Sequence, residues 1–153
     1  MSKKRQLSPS REVSLEKSRS DSRDYRYVHL ENGITALVVH DPSPDSKKTS
    51  CAVSVGVGSY WDFPELQGTA HFLEHMLFMG SEEYPGENDL DSFLSEKNGY
   101  VNAMTELEYT IYYFELLSDN SEDVSKALHI FSGFFLKPLI RADCVDREVE
   151  AVE

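Results

Sequence analysis

The pattern of apolar and polar positions divides the chain near residue 24. Residues 1–24 are rich in Ser, Lys and Arg and nearly free of large apolar groups. Such a stretch cannot bury enough surface to offset its ordering entropy, so a disordered polar tail is expected there. From Tyr25 the pattern changes. Residues 25–30 (YRYVHL) alternate and are rich in β-formers, residues 34–40 (ITALVVH) repeat that character, and Asn32-Gly33 between them signals a hairpin. Residues 41–50 contain two prolines and no other apolar group, which marks a loop, and residues 51–59 (CAVSVGVGS) read as a third strand. A connection over 60–68 ends in Gly68.

Further along, the period lengthens. Residues 69–79 read as a helix and 82–89 (EEYPGEND) as a loop. A short helix over 90–99 places Leu90, Phe93 and Leu94 at helical spacing and is closed by Asn98-Gly99. Residues 100–106 (YVNAMTE) and 109–117 (YTIYYFELL) are strands. Over 121–139, Val124, Leu128, Phe131 and Phe135 fall on one face of an amphipathic helix that Pro138 ends. A last helix starts near Ala142, with Asp143 in its first turn. Three strands, two helices, two strands and two helices predict an α+β fold, a mostly antiparallel sheet packed on helices, over residues 25–153.

Charge sharpens the division. Residues 1–24 carry seven Lys and Arg against four Asp and Glu, a net +3, while residues 25–153 carry eight against twenty-three, a net −15. An acidic body repels nucleic-acid phosphates and favours basic partners, basic peptides among them. No apolar run approaches the ~20 residues of a membrane-spanning helix. The N-terminal charges are not followed by an apolar stretch, as a secretory signal requires. Glu12 and Glu16 argue against a mitochondrial presequence. Cys51 and Cys144 lie far apart, form no CxxC and read as reduced thiols. These features predict a cytoplasmic protein without membrane or nucleic-acid partners.

One stretch resists a purely structural reading. GTAHFLEHMLFMGS, residues 68–81, sets His71, Glu74 and His75 among Leu73, Met76, Leu77, Phe78 and Met79. Burying a charge without a partner is costly, so a compensating group is required. On a helix, residues three and four apart share a face, and the three side chains project together. Two imidazoles one turn apart can hold Zn2+, and Glu74 is close enough to take a proton from a zinc-activated water. The HxxEH order inverts the commoner HExxH and is itself a zinc-peptidase signature. A catalytic zinc takes three protein ligands. Glu148, Glu150 and Glu153 offer carboxylates, or else form a solvated helix face. His29, His40 and His129 lack such company and read as surface or cap residues.

GTAHFLEHMLFMGSEEYPGEND, followed by FLSEKNGYVNAMT, YYFEL, FFLKPLI and DREVEAV, resembles the N-terminal part of the insulin-degrading enzyme and nardilysin family of inverted-motif zinc peptidases. The resemblance covers about residues 25–153. FMGS and PLIRADCVDREVEAV lean towards the nardilysin branch, whose members favour basic pairs in peptides. The resemblance implies that His71 and His75 are zinc ligands and Glu74 the general base. It implies that Glu148 supports a ligand histidine, and that Asn102 and Ala103 lie on an edge strand pairing with the substrate backbone. In the family, the third ligand is a glutamate in V-D-S-E after REVEAV; Glu153 stands at the Asp of that pattern, so the ligand is expected two residues further on. The family's longer body also contributes to substrate binding, so a truncated peptidase domain is expected. Two functions follow: a zinc endopeptidase, or alternatively a non-catalytic short form that binds peptides or partners.

Overall fold

The computed structural model describes residues 16–152 except 44 and 46. The expected tail therefore falls mostly outside the described residues, as does Glu153. Residues 16–23 include a short turn in which the Asp21 carboxylate accepts from the Arg23 guanidinium and, at 2.7 Å, from the Tyr25 hydroxyl. The chain forms two compact units, Met1–Ser46 and Lys47–Glu153.

In the first unit, β1 (Asp24–His29) and β2 (Thr35–His40) form an antiparallel hairpin with Tyr25 opposite Val39. Its turn depends on Gly33, whose φ of +88° is a conformation that side-chain-bearing residues rarely adopt. The Asn32 Oδ1 accepts from the Ile34 N–H, and the Leu30 N–H donates to the Ile34 carbonyl.

The second unit holds β3 (Thr49–Val55), β4 (Tyr100–Thr105) and β5 (Thr110–Leu116) in the order β3-β5-β4, every pairing antiparallel. The described strands thus form two sheets, because the tight turn pairs β1 with β2 and leaves β3 to pair with β5. Four helices complete the described structure: α1 (Thr69–Leu77), α2 (Asp89–Ser95), α3 (Ser121–Leu136) and α4 (Val145–Val152). The architecture is α+β, as the pattern predicts. Among the described residues no helix is long and apolar enough to cross a membrane.

Strand β5 is the centre of the core. Thr110, Tyr112, Phe114 and Leu116 alternate along it and are all buried. They pack with Leu77, with Leu90 and Leu94 of α2, and with Ala127, Ile130, Phe131 and Phe134 of α3. Ring edges meet ring faces here, Phe114 on Phe131 at 5.1 Å and Phe78 on Phe134 at 5.5 Å. The buried face of α3 differs from the expected one. Leu128 is exposed, and Val124 and Phe135 are only partly buried. The helix is apolar on more than one stripe, and contacts choose among them. Gly133 seats α3 directly on Ser81, where a Cβ would lie 2.7 Å from the hydroxyl.

Several boundaries also shift. Helix α2 ends at Ser95, short of Asn98-Gly99, and α4 begins at Val145 after a single tight turn over Ala142–Cys144. Strand β3 begins two residues before the expected start and ends at Val55. Beyond it, Gly58 presses on the β4–β5 loop so closely that a Cβ would sit 2.1 Å from the Glu106 carbonyl oxygen. There the Ser59 and Tyr60 amides donate to the Glu106 and Leu107 carbonyls at 2.9 and 2.8 Å. Helix α1 stops at Leu77, not 79. The Phe78 and Met79 amides bond back three residues, to His75 and Met76, before Gly80 turns the chain at φ +101°.

Candidate metal centre

Helix α1 carries the motif, and its start is fixed from outside. The N-cap residue is Gly68, at φ +89°, with no side chain to cap the helix. Asp62 does that instead: its two carboxylate oxygens accept from the Gly68 and Ala70 amides at 2.8 and 2.9 Å. Two donors that the helix leaves unpaired are satisfied, by a negative charge at the positive end of the helix.

From the same turn of α1, His71, Glu74 and His75 project together. One ligand atom from each lies within 4.8 Å of the others. The two imidazole rings meet edge to face, centroids 4.9 Å apart. Glu74 is only 7% exposed. Its Oε2 accepts a hydrogen bond from the Thr105 hydroxyl at the end of β4. Behind Thr105 lies Thr110, whose hydroxyl donates to the Val57 carbonyl at 3.0 Å. Burial, and secondarily the Glu74 charge, push the Tyr112 phenol up to about 12, so it stays protonated near neutral pH.

Glu148 reaches the motif from α4. Its Oε2 lies 3.0 Å from His75 Nδ1, and its Oε1 accepts from Arg147 Nε at 2.9 Å. Arg147 and then His75 hold the Glu148 carboxyl below its usual range, so at neutral pH it is a carboxylate that only accepts. The His75 Nδ1 must therefore carry the proton. Arg147 also spans to Glu87 Oε2 at 3.2 Å and to Met79 Sδ at 3.2 Å. Buried Cys144, just before α4, packs with Met76 and Met79 beside it.

Asn102 and Ala103 lie on β4, the outer strand of the sheet, opposite Tyr113 and Tyr112. Asn102 is exposed. The Ala103 amide donates to Asn102 Oδ1 at 2.9 Å, so it points away from β5, towards the strand's free edge. Ala103 stands two residues before Thr105, which touches Glu74, so the same strand serves the free edge and the motif. Glu150 is exposed on α4. His29 pairs with Thr35 and His129 with Glu83, both at the surface. Among the described residues, His71, Glu74 and His75 are the only group of three or more His, Cys, Asp or Glu placed so that they could hold a metal ion.

Sequence reasoning missed Asp62, Thr105 and Arg147. Thr105 alone left a signal, since it shares a strand face with Ala103.

The family described as Insulinase (Peptidase family M16) matches residues 37–153. The mouse (Mus musculus) insulin-degrading enzyme is 46% identical over 93% of this chain, which spans 13% of that protein's length. A nardilysin-like protein of Arabidopsis thaliana is 37% identical over 90% of this chain, which covers 19% of it. Both branches named by the resemblance are thus among the relatives, the insulin-degrading one at the higher identity. The crystal structure of pitrilysin superposes with a TM-score of 0.84 at 34% identity, covering 95% of this chain and 15% of its own. With the family pattern matched across most of its length and the fold shared with pitrilysin, this chain belongs to the insulinase family, peptidase family M16.

Proposed function

We propose that His71, Glu74 and His75 form the zinc centre of a metalloendopeptidase of the nardilysin or insulin-degrading type. The observation that carries this reading is the convergence of two imidazoles and one carboxylate within 4.8 Å on one helix turn. That donor set fits zinc, which accepts nitrogen and carboxylate ligands in tetrahedral sites. His71 and His75 would hold it. Zinc, when bound, supplies Lewis acidity that polarises a carbonyl and brings the pKa of water down towards ~7.

The protein's own groups do the rest. Glu148 accepts a hydrogen bond from His75 Nδ1–H and so leaves the Nε2 lone pair free for a metal. Glu74 takes a proton from water as the water oxygen bonds to the scissile carbonyl carbon. It returns that proton to the departing amine as the C–N bond breaks. The free edge of β4, at Asn102 and Ala103, suits an extended peptide adding as a further strand, with the Ala103 amide as a donor.

The net −15 of residues 25–153 favours basic peptides, in keeping with the nardilysin-like segments. The peptidase domain takes in residues 25–153, with residues 1–24 as a polar extension. The free thiols of Cys51 and Cys144 support a reducing compartment such as the cytoplasm.

The test is hydrolysis of a peptide containing a basic pair by the full chain, before and after chelation. The reading expects activity to vanish with chelator and return with added zinc. Hydrolysis indifferent to the chelator would refute it.

A further inference from the structure

Among the described residues, one oxygen of the buried Glu74 carboxylate is held by a hydrogen bond and the other is not. With Glu74 only 7% exposed, protein groups and not bulk water set its orientation. The Thr105 hydroxyl donates to Oε2, and no other hydrogen bond reaches this carboxylate among the described residues. Among the described residues, Oε1 is therefore unengaged.

The direction of the Thr105 proton follows from a count of protons. Thr105 Oγ1 also lies 3.4 Å from Thr110 Oγ1, and each hydroxyl has a single proton. Thr110 gives its own to the Val57 carbonyl at 3.0 Å. The Thr105 proton can go to Thr110 or to Glu74, and Glu74 Oε2 lies at close hydrogen-bond range whereas Thr110 Oγ1 stands at the outer limit of 3.4 Å. Thr110 is 4% exposed, sits directly opposite Thr105 in the ladder, and fixes it from behind. Both residues are β-branched and stiff at χ1, so the pair has little freedom. The chain of contacts runs from Val57, two residues past β3, through β5 and β4 to α1.

We propose that Thr105 is a positioning residue for Glu74: it pins Oε2 and thereby presents Oε1 as the oxygen that takes the proton from water. This rests on the reading of Glu74 as the general base. Without the hydroxyl, the carboxylate turns about its last torsion and divides its time between productive and unproductive orientations. A misplacement of that kind lowers the rate of the chemical step and leaves peptide binding alone.

The experiment measures kcat and KM for an internally quenched peptide, together with bound zinc and the melting temperature, in the full chain. Thr105→Val keeps the shape and removes the hydroxyl; Thr105→Ser keeps the hydroxyl. The Val variant should lose roughly 10- to 100-fold in kcat, with KM within about twofold and zinc content unchanged. The Ser variant should stay within about threefold of the parent. If the Val variant does not fold, Thr105→Ala against Thr105→Ser poses the same question, because they differ only in the hydroxyl. Full kcat in the Val or Ala variant, or a Ser variant as impaired as either, would overturn the proposal. Glu74→Gln in the same assay separates the two levels. If it still turns over at the parental rate, the general-base reading fails. If it is silent while Thr105→Val is fully active, only the role of Thr105 fails.

Discussion

A carboxylate and two imidazoles in an apolar helix turn were legible in the sequence, because i, i+3 and i+4 share a face whatever the rest of the fold does. Their partners were not. Thr105 meets Glu74 across 31 residues of chain and Glu148 meets His75 across 73, and no local pattern carries such separations. The residue pattern offers Glu148 only as one of three carboxylates near the chain's end, and its place beside a ligand histidine is implied by the resemblance alone. Its geometry makes a prediction at this scale. Glu148→Gln keeps the shape but can no longer act as a charged acceptor for His75 Nδ1, and among the described residues it leaves Arg147 with Glu87 as its one anionic partner. Partners of this kind are typically worth 10- to 100-fold in metal affinity. Competition with a chromogenic chelator should therefore show zinc affinity falling by roughly that factor; unchanged affinity would remove Glu148 from the site.

At the scale of elements, strand identities came from the period-2 pattern, which β5 keeps from Thr110 to Leu116. The face of α3 did not. Ile130, Phe131, Phe134 and Phe135 make much of the helix apolar, and the choice of stripe was made by Ser81 under Gly133 and by Phe78 against Phe134. Helix α1 shows a similar limit, since its cap lies six residues before Gly68. Asp62→Ala frees two partly buried helix donors and should cost about 1–2 kcal/mol in urea denaturation, within the range for lost caps. A cost near zero would mean that water replaces Asp62. The free edge of β4 is tested by Ala103→Pro. The Ala103 amide donates to a side chain and not to β5, so proline removes an edge donor while sparing the ladder. KM for peptides should rise with zinc affinity held; equal KM in variant and parent would reject pairing at this edge.

Over the whole molecule, the chain supplies the inverted motif, the strand beside it and the helix behind it, within 13% of the length of a mammalian insulin-degrading enzyme. Length and charge class were legible from composition, and the family from the order of its motifs. The packing of the hairpin as its own compact unit was not, because both candidate sheets are built from similar alternating strands. What joins these levels is the claim that one buried carboxylate on α1 acts on water while two neighbouring imidazoles hold a metal. Zinc content and peptide turnover, measured together on purified parent and Glu74→Gln protein, address that claim most directly. The account predicts equal zinc in both and a loss of turnover of ~10²–10⁴-fold in the variant, the usual contribution of a general base. Parental turnover in Glu74→Gln, or zinc lost along with activity, would contradict it.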